Sequence, residues 1–66
     1  MKVLLDGFWE EVPAGTTAAG LIERSEVLDS TLVVEVNGRF VHPNDYERTE
    51  IKDGDRVELI LPAFGG

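Results

Sequence analysis

Leu32-Val33-Val34-Glu35-Val36-Asn37-Gly38-Arg39-Phe40-Val41 reads as two short strands joined by an Asn-Gly turn. Branched and aromatic side chains suit the pleated, half-buried surface of a sheet. Asn and Gly both tolerate the positive φ that a two-residue type I′ hairpin demands. Upstream, Asp6-Gly7 stands in the same way between Lys2–Leu5 and Phe8–Val12. Downstream, Asp53-Gly54-Asp55 is a turn that opens directly into Arg56–Leu61. The pattern is therefore two hairpins and an entry into a last strand. That strand alternates, with Val57, Leu59 and Leu61 on one face and Arg56, Glu58 and Ile60 on the other. The first hairpin alternates less cleanly, because Glu10 falls between Phe8 and Val12; a bulge or a partly open edge would account for it.

One helix fits between the hairpins. Thr16 or Thr17, after the loop Pro13-Ala14-Gly15, can cap it by accepting backbone N–H bonds. Ala18, Leu21, Ile22 and Ser25 then recur at helical spacing. Gly20 weakens the helix by about 1 kcal/mol relative to alanine, so two to three turns are expected. Val27 and Leu28 are expected to continue the core. The apolar stripe needs a cover, and a sheet is the large partner available. His42-Pro43-Asn44-Asp45 reads as a loop and Tyr46–Ile51 as an irregular or single-turn crossover to the last strand. The expected fold is α+β: a four- to five-stranded mixed sheet packed on one helix, the β-grasp (ubiquitin-like) arrangement. Residues 1–61 are expected to form the domain and 62–66 a flexible C-terminal tail ending in Gly-Gly.

Composition narrows the function. The 66 residues carry 13 acidic against 6 basic side chains, a net charge of −7. Nucleic-acid binding requires a basic footprint, so neither RNA nor DNA is an expected partner. An acidic surface suits a basic protein partner and speeds encounter with it. There is no cysteine and one histidine, His42, which leaves no basis for a disulfide or a Cys- or His-rich metal site. No apolar run is long enough to span a membrane, and Val3-Leu4-Leu5 is too short for a signal peptide's apolar region. A cytoplasmic protein is expected, with no membrane association, no metal and no permanently bound cofactor.

The sequence ends on Pro62-Ala63-Phe64-Gly65-Gly66. Proline stops a strand ladder. Glycine lets backbone approach an active-site wall closely. Five extended residues reach at most ~18 Å, enough to enter a narrow channel in another protein. The α-carboxylate is a poor electrophile at neutral pH, where it is ionised. Joined to AMP as a mixed anhydride it acquires a good leaving group, and a sulfur or nitrogen nucleophile can then attack. A terminal Gly-Gly alone is a weak signal. Here it closes a short domain of the right layout, directly after a hydrophobic strand.

Three sets of residues together carry a resemblance: Val36-Asn37-Gly38-Arg39-Phe40-Val41, Asp53-Gly54-Asp55-Arg56-Val57-Glu58 and Gly65-Gly66. The chain resembles the bacterial ubiquitin-like sulfur carriers of the ThiS/MoaD family, and ThiS more than MoaD. ThiS-like chains show a Val-Asn-Gly hairpin, an Asp-Gly-Asp turn before a Val-Glu strand, and a final Gly-Gly. Leu61-Pro62-Ala63-Phe64 departs from the Val/Ala-rich approach usual in ThiS and leans toward MoaD. The resemblance implies a carrier rather than an enzyme, with no catalytic residue of its own. Gly66 would be adenylated by a ThiF-like enzyme that uses ATP and magnesium, then converted to a thiocarboxylate with sulfur from a donor such as a cysteine desulfurase. The sulfur would go to a thiazole synthase (ThiG-like) in thiamine biosynthesis or, in the MoaD-like case, to a molybdopterin precursor on the molybdopterin synthase large subunit. Pro62, Ala63, Phe64 and Gly65 would thread the partner's active site. A ubiquitin-like protein modifier and a non-reactive β-grasp binding module are the remaining alternatives.

Two side chains are candidates for docking. Ile60 lies opposite Val57, Leu59 and Leu61, so it either joins a hydrophobic docking patch or belongs to a sheet part-buried on both faces. Trp9 is either an interface aromatic or a packed one, Phe8 having the better claim on the core. Phe64 either anchors the tail on a partner or folds back over the sheet. His42 has no nucleophile beside it and reads as a solvated loop residue. Turn chemistry accounts for Asp53 and Asp55, and a solvated face for Glu10 and Glu11.

Overall fold

The computed structural model describes residues 1–26 and 31–61. Val27 and Leu28, expected in the core, lie outside the described residues. In chain order the elements are β1 (Lys2–Leu5), β2 (Phe8–Glu11), α1 (Ala18–Ser25), β3 (Val33–Val36), β4 (Arg39–Val41), a single 3₁₀ turn (Pro43–Asp45) and β5 (Arg56–Ile60). They form one five-stranded sheet in the order β2-β1-β5-β3-β4. β5 runs parallel to β1, while β1–β2, β3–β4 and β3–β5 are antiparallel. This is the expected β-grasp architecture, a mixed sheet packed on one helix.

The turns follow from their residues. Asp6 and Gly7 have φ of 49° and 87°, Asn37 and Gly38 of 53° and 81°, the paired left-handed geometry of type I′ hairpins. The two motif segments are bonded to each other. The Asn37 side-chain amide donates to Asp55 Oδ1 (2.9 Å), and Asn37 Oδ1 accepts the Arg56 N–H (2.9 Å). Asp55 Oδ2 accepts the Lys52 N–H (2.8 Å), closing the turn around Gly54. Asn37 thereby continues the β3–β5 ladder, its backbone N–H donating to the Arg56 carbonyl (2.7 Å) and its side-chain oxygen accepting from the Arg56 N–H.

Thr17 caps α1, its hydroxyl accepting the Gly20 N–H at 3.2 Å. The Ala18 and Ala19 N–H groups donate to the carbonyls of Thr49 and Tyr46, both at 2.9 Å. The crossover at 46–51 is thus held against the start of the helix, and Thr17 and Glu50 form an isolated antiparallel bridge. A helix leaves its first N–H groups without internal partners; here the crossover supplies them.

The core lies between α1 and one face of the sheet. Ala18 and Leu21 meet Val3 and Leu5 of β1, Val34 of β3, Val41 of β4 and Val57 of β5, and Ile51 of the crossover seals one side. Ile22 and Ser25 are half-buried, and the Ser25 hydroxyl bonds back to the Ile22 carbonyl (2.8 Å).

β2 corrects the expectation for Phe8. Its register with β1 is unbroken from Lys2–Glu11 to Leu5–Phe8, so the poor alternation marks an open edge and no bulge. Directly opposed residues share a face, which puts Phe8 and Glu10 on the helix side with Leu5 and Val3. Yet Phe8 is 75% exposed. A helix about 10 Å wide spans roughly two strands at about 4.8 Å each, and the edge strand lies outside its cover. Val12, where the chain turns back under the helix, is buried instead.

Candidate functional site

β5 delivers the chain to the 62–66 segment, and its neighbours fix where that happens. Because β5 parallels β1, its C-terminal end lies beside the β1–β2 turn. Asp6 Oδ1 accepts the Leu59 N–H at 2.9 Å, and Asp6 donates its own N–H to the Val57 carbonyl at 3.0 Å. Asp6 therefore holds β5 where β1 has ended. On the other side Ile60 pairs with Val33 at the start of β3. The last described residue, Leu61, is held through this doubly bonded strand. Pro62, Ala63, Phe64, Gly65 and Gly66, the proposed threading and reacting residues, lie outside the described residues.

The face of the sheet away from α1 has no cover from any other described element. The pairing registers assign its residues: Leu4 opposite Trp9 and Arg56, Glu35 opposite Glu58 and Phe40, and Val33 opposite Ile60. Three of the large exposed hydrophobic residues stand here, Trp9 at 62%, Phe40 at 53% and Ile60 at 37% exposure. Both docking candidates thus share the open face, but they are not neighbours. Trp9 is on the edge strand β2 at the level of Arg56, and Ile60 is at the tail end of β5. Trp9 is exposed, not packed. Leu61, expected on the buried face with Val57 and Leu59, is also exposed, since it lies beyond the end of β5.

Phe40 was not singled out by sequence reasoning. The signal was present: Val41 next to it is buried, so strand alternation puts Phe40 on the other face. It packs edge-on against His42, with ring centroids 5.0 Å apart. Between the apolar side chains lies a charged middle. Glu35 and Glu58 are directly opposed on adjacent strands. Arg56 Nε reaches Glu58 Oε1 at only 4.0 Å.

Asp55 keeps the turn role read from the sequence, whereas Asp53 bonds across the fold to the start of β1 and Glu11 pairs with the amino terminus. Asp53 and Asp55 accept backbone N–H bonds from Lys2 and Lys52. Glu11 and the Met1 ammonium lie 3.1 Å apart. His42 is exposed before the 3₁₀ turn. Among the described residues no group of three or more His, Cys, Asp or Glu side chains could hold a metal ion, and no helix is long and apolar enough to cross a membrane. The arrangement offers an open, partly apolar face and a strand pinned at the end that leads into residues 62–66.

The sequence model of the ThiS family matches residues 5–66. Two solved structures are similar over the full length of this chain. The crystal structure of the thiamine biosynthesis protein ThiS from Geobacter metallireducens is 26% identical, with 100% of both chains covered and a TM-score of 0.86. The NMR solution structure of a thiamine biosynthesis protein from the same organism is 25% identical, covers 100% of this chain and 88% of that one, and gives a TM-score of 0.81. No curated protein matches the sequence.

Proposed function

The chain belongs to the ThiS family, and from that membership we propose that it is a sulfur carrier of thiamine biosynthesis with Gly66 as its reacting residue. The observation that carries this reading is the family match running through residue 66, where the sequence places Gly-Gly five residues beyond a pinned strand.

The chemistry belongs to a carboxylate without catalytic help from its own domain. A ThiF-like adenylating enzyme binds the carrier. A Gly66 carboxylate oxygen attacks the α-phosphorus of ATP, pyrophosphate leaves, and an acyl-adenylate forms. The terminal sulfur of a persulfide formed on a cysteine desulfurase attacks the carbonyl carbon and expels AMP, and a thiol then cleaves the resulting acyl disulfide, supplying the two electrons and leaving as a disulfide with the donor sulfur. The product is a thiocarboxylate, with one oxygen replaced by sulfur. A ThiG-like thiazole synthase is the acceptor, which the family membership favours over a molybdopterin precursor. Pro62, Ala63, Phe64 and Gly65 span the distance from the sheet to the partner's active site. Trp9 and Ile60 belong to the face the partner covers.

Thiamine-independent growth supported by this chain's gene tests the reading. Removing the codons for Gly65 and Gly66 is expected to abolish it. Growth that survives the deletion would point to an inert binding module, and high-mass conjugates formed through Gly66 would point to a protein modifier.

A further inference from the structure

The open sheet face contains a juxtaposition that the carrier role alone does not explain. Glu35 of β3 and Glu58 of β5 are opposed residue to residue at its centre. Opposed side chains of adjacent strands have Cβ atoms about 5 Å apart, and like charges there repel. Arg56 relieves this weakly, 4.0 Å from Glu58, and Glu35 has no ion pair among the described residues. Phe40 stands beside Glu35, and Ile60 and Val33 lie one step along the strands. A partner that covers Phe40 and Ile60 must also take the two carboxylates out of water. Burying carboxylates without counter-charge is strongly unfavourable.

We infer that the Glu35–Glu58 pair is a specificity determinant that receives an arginine side chain from the adenylating enzyme when it docks on this face. The inference rests on the proposed carrier function for the partner's identity, and on the sheet registers for the chemistry. One guanidinium presents five N–H donors in a planar fork and can bridge two carboxylates, which the compact ammonium of lysine does less well. The net charge of −7 steers the same encounter and opposes covering the face with a second copy of this chain. Phe40 and Ile60 supply apolar contact, while the acidic pair selects for a cation at one position.

The test measures the Kd of the full chain for a ThiF-like adenylating enzyme from the same genome, at several salt concentrations, for the wild type, E35Q/E58Q and E23Q/E47Q. The last variant makes the same charge change away from this face. E35Q/E58Q is expected to bind about ten-fold more weakly at low salt, about 1.4 kcal/mol, with a shallower salt dependence and a raised KM for the carrier rather than a lowered kcat. E23Q/E47Q is expected to bind like the wild type. Thermal melts establish that both variants fold; removal of a like-charge contact is expected to leave the E35Q/E58Q midpoint no lower. Unchanged affinity in E35Q/E58Q, or equal weakening in E23Q/E47Q, overturns the inference while leaving the carrier function in place. So does a wild-type dimer that E35Q/E58Q disrupts without loss of enzyme affinity. Absence of wild-type binding overturns both.

Discussion

Asn37 shows how one side chain can tie two turns of the fold together. It occupies a left-handed position at φ 53° and bonds through both side-chain atoms to Asp55 and Arg56. Asn37→Ala is expected to destabilise the chain by about 2 kcal/mol, from the lost bonds and the left-handed backbone. Asn37→Gly, which keeps only the backbone freedom, should cost about 1 kcal/mol less; urea unfolding of the three proteins checks the order. Glu26 is the opposite case. It ends α1 in the left-handed region at φ 60°, donating its N–H to the Glu23 carbonyl. Glycine is the usual residue there, so Glu26→Gly is expected to raise stability by roughly 0.5–1 kcal/mol in the same assay. The Asn-Gly and Asp-Gly-Asp signals were legible from residue type because positive φ and side-chain-to-backbone bonding are local properties.

Among the elements, the helix and the edge strand separate what was legible from what was not. The cap was readable to within one residue, Thr16 or Thr17, and Ala18 and Leu21 as part of a buried stripe, because both follow from spacing along one helix. Leu21 is fully buried, and Leu21→Ala is expected to cost about 2–5 kcal/mol. Phe8 looked equally apolar, yet its burial depends on how many strands a single short helix can cover. That is a property of the assembled layers and not of the local pattern. Phe8→Ser is therefore expected to shift stability by no more than about 0.5 kcal/mol, and denaturant midpoints of the two variants should differ accordingly. The same reasoning covers the open face. Alternation assigned Ile60 to the side opposite the core, but only the strand order β2-β1-β5-β3-β4 brings Glu35 against Glu58 and Phe40.

In the whole molecule, the turn network and the proposed reacting residue belong to opposite ends of β5. The Asn37–Asp55 network that joins the Asn-Gly and Asp-Gly-Asp turns lies at the start of β5, while the strand's other end, pinned by Asp6, leads to residues 62–66. In the proposed carrier the domain supplies the docking face and β5 leads to Gly66, the residue proposed to react in a partner's active site. The ThiS match extends across both ends, which is why the reading rests on Gly66 and places the catalytic groups in the partner enzymes. The most direct measurement is the intact mass of the chain after incubation with a ThiF-like adenylating enzyme, ATP, magnesium and a sulfur donor. One oxygen replaced by one sulfur, located by fragmentation to Gly66, is the expected result. An unchanged mass, or the same gain in a chain lacking Gly65 and Gly66, would contradict it.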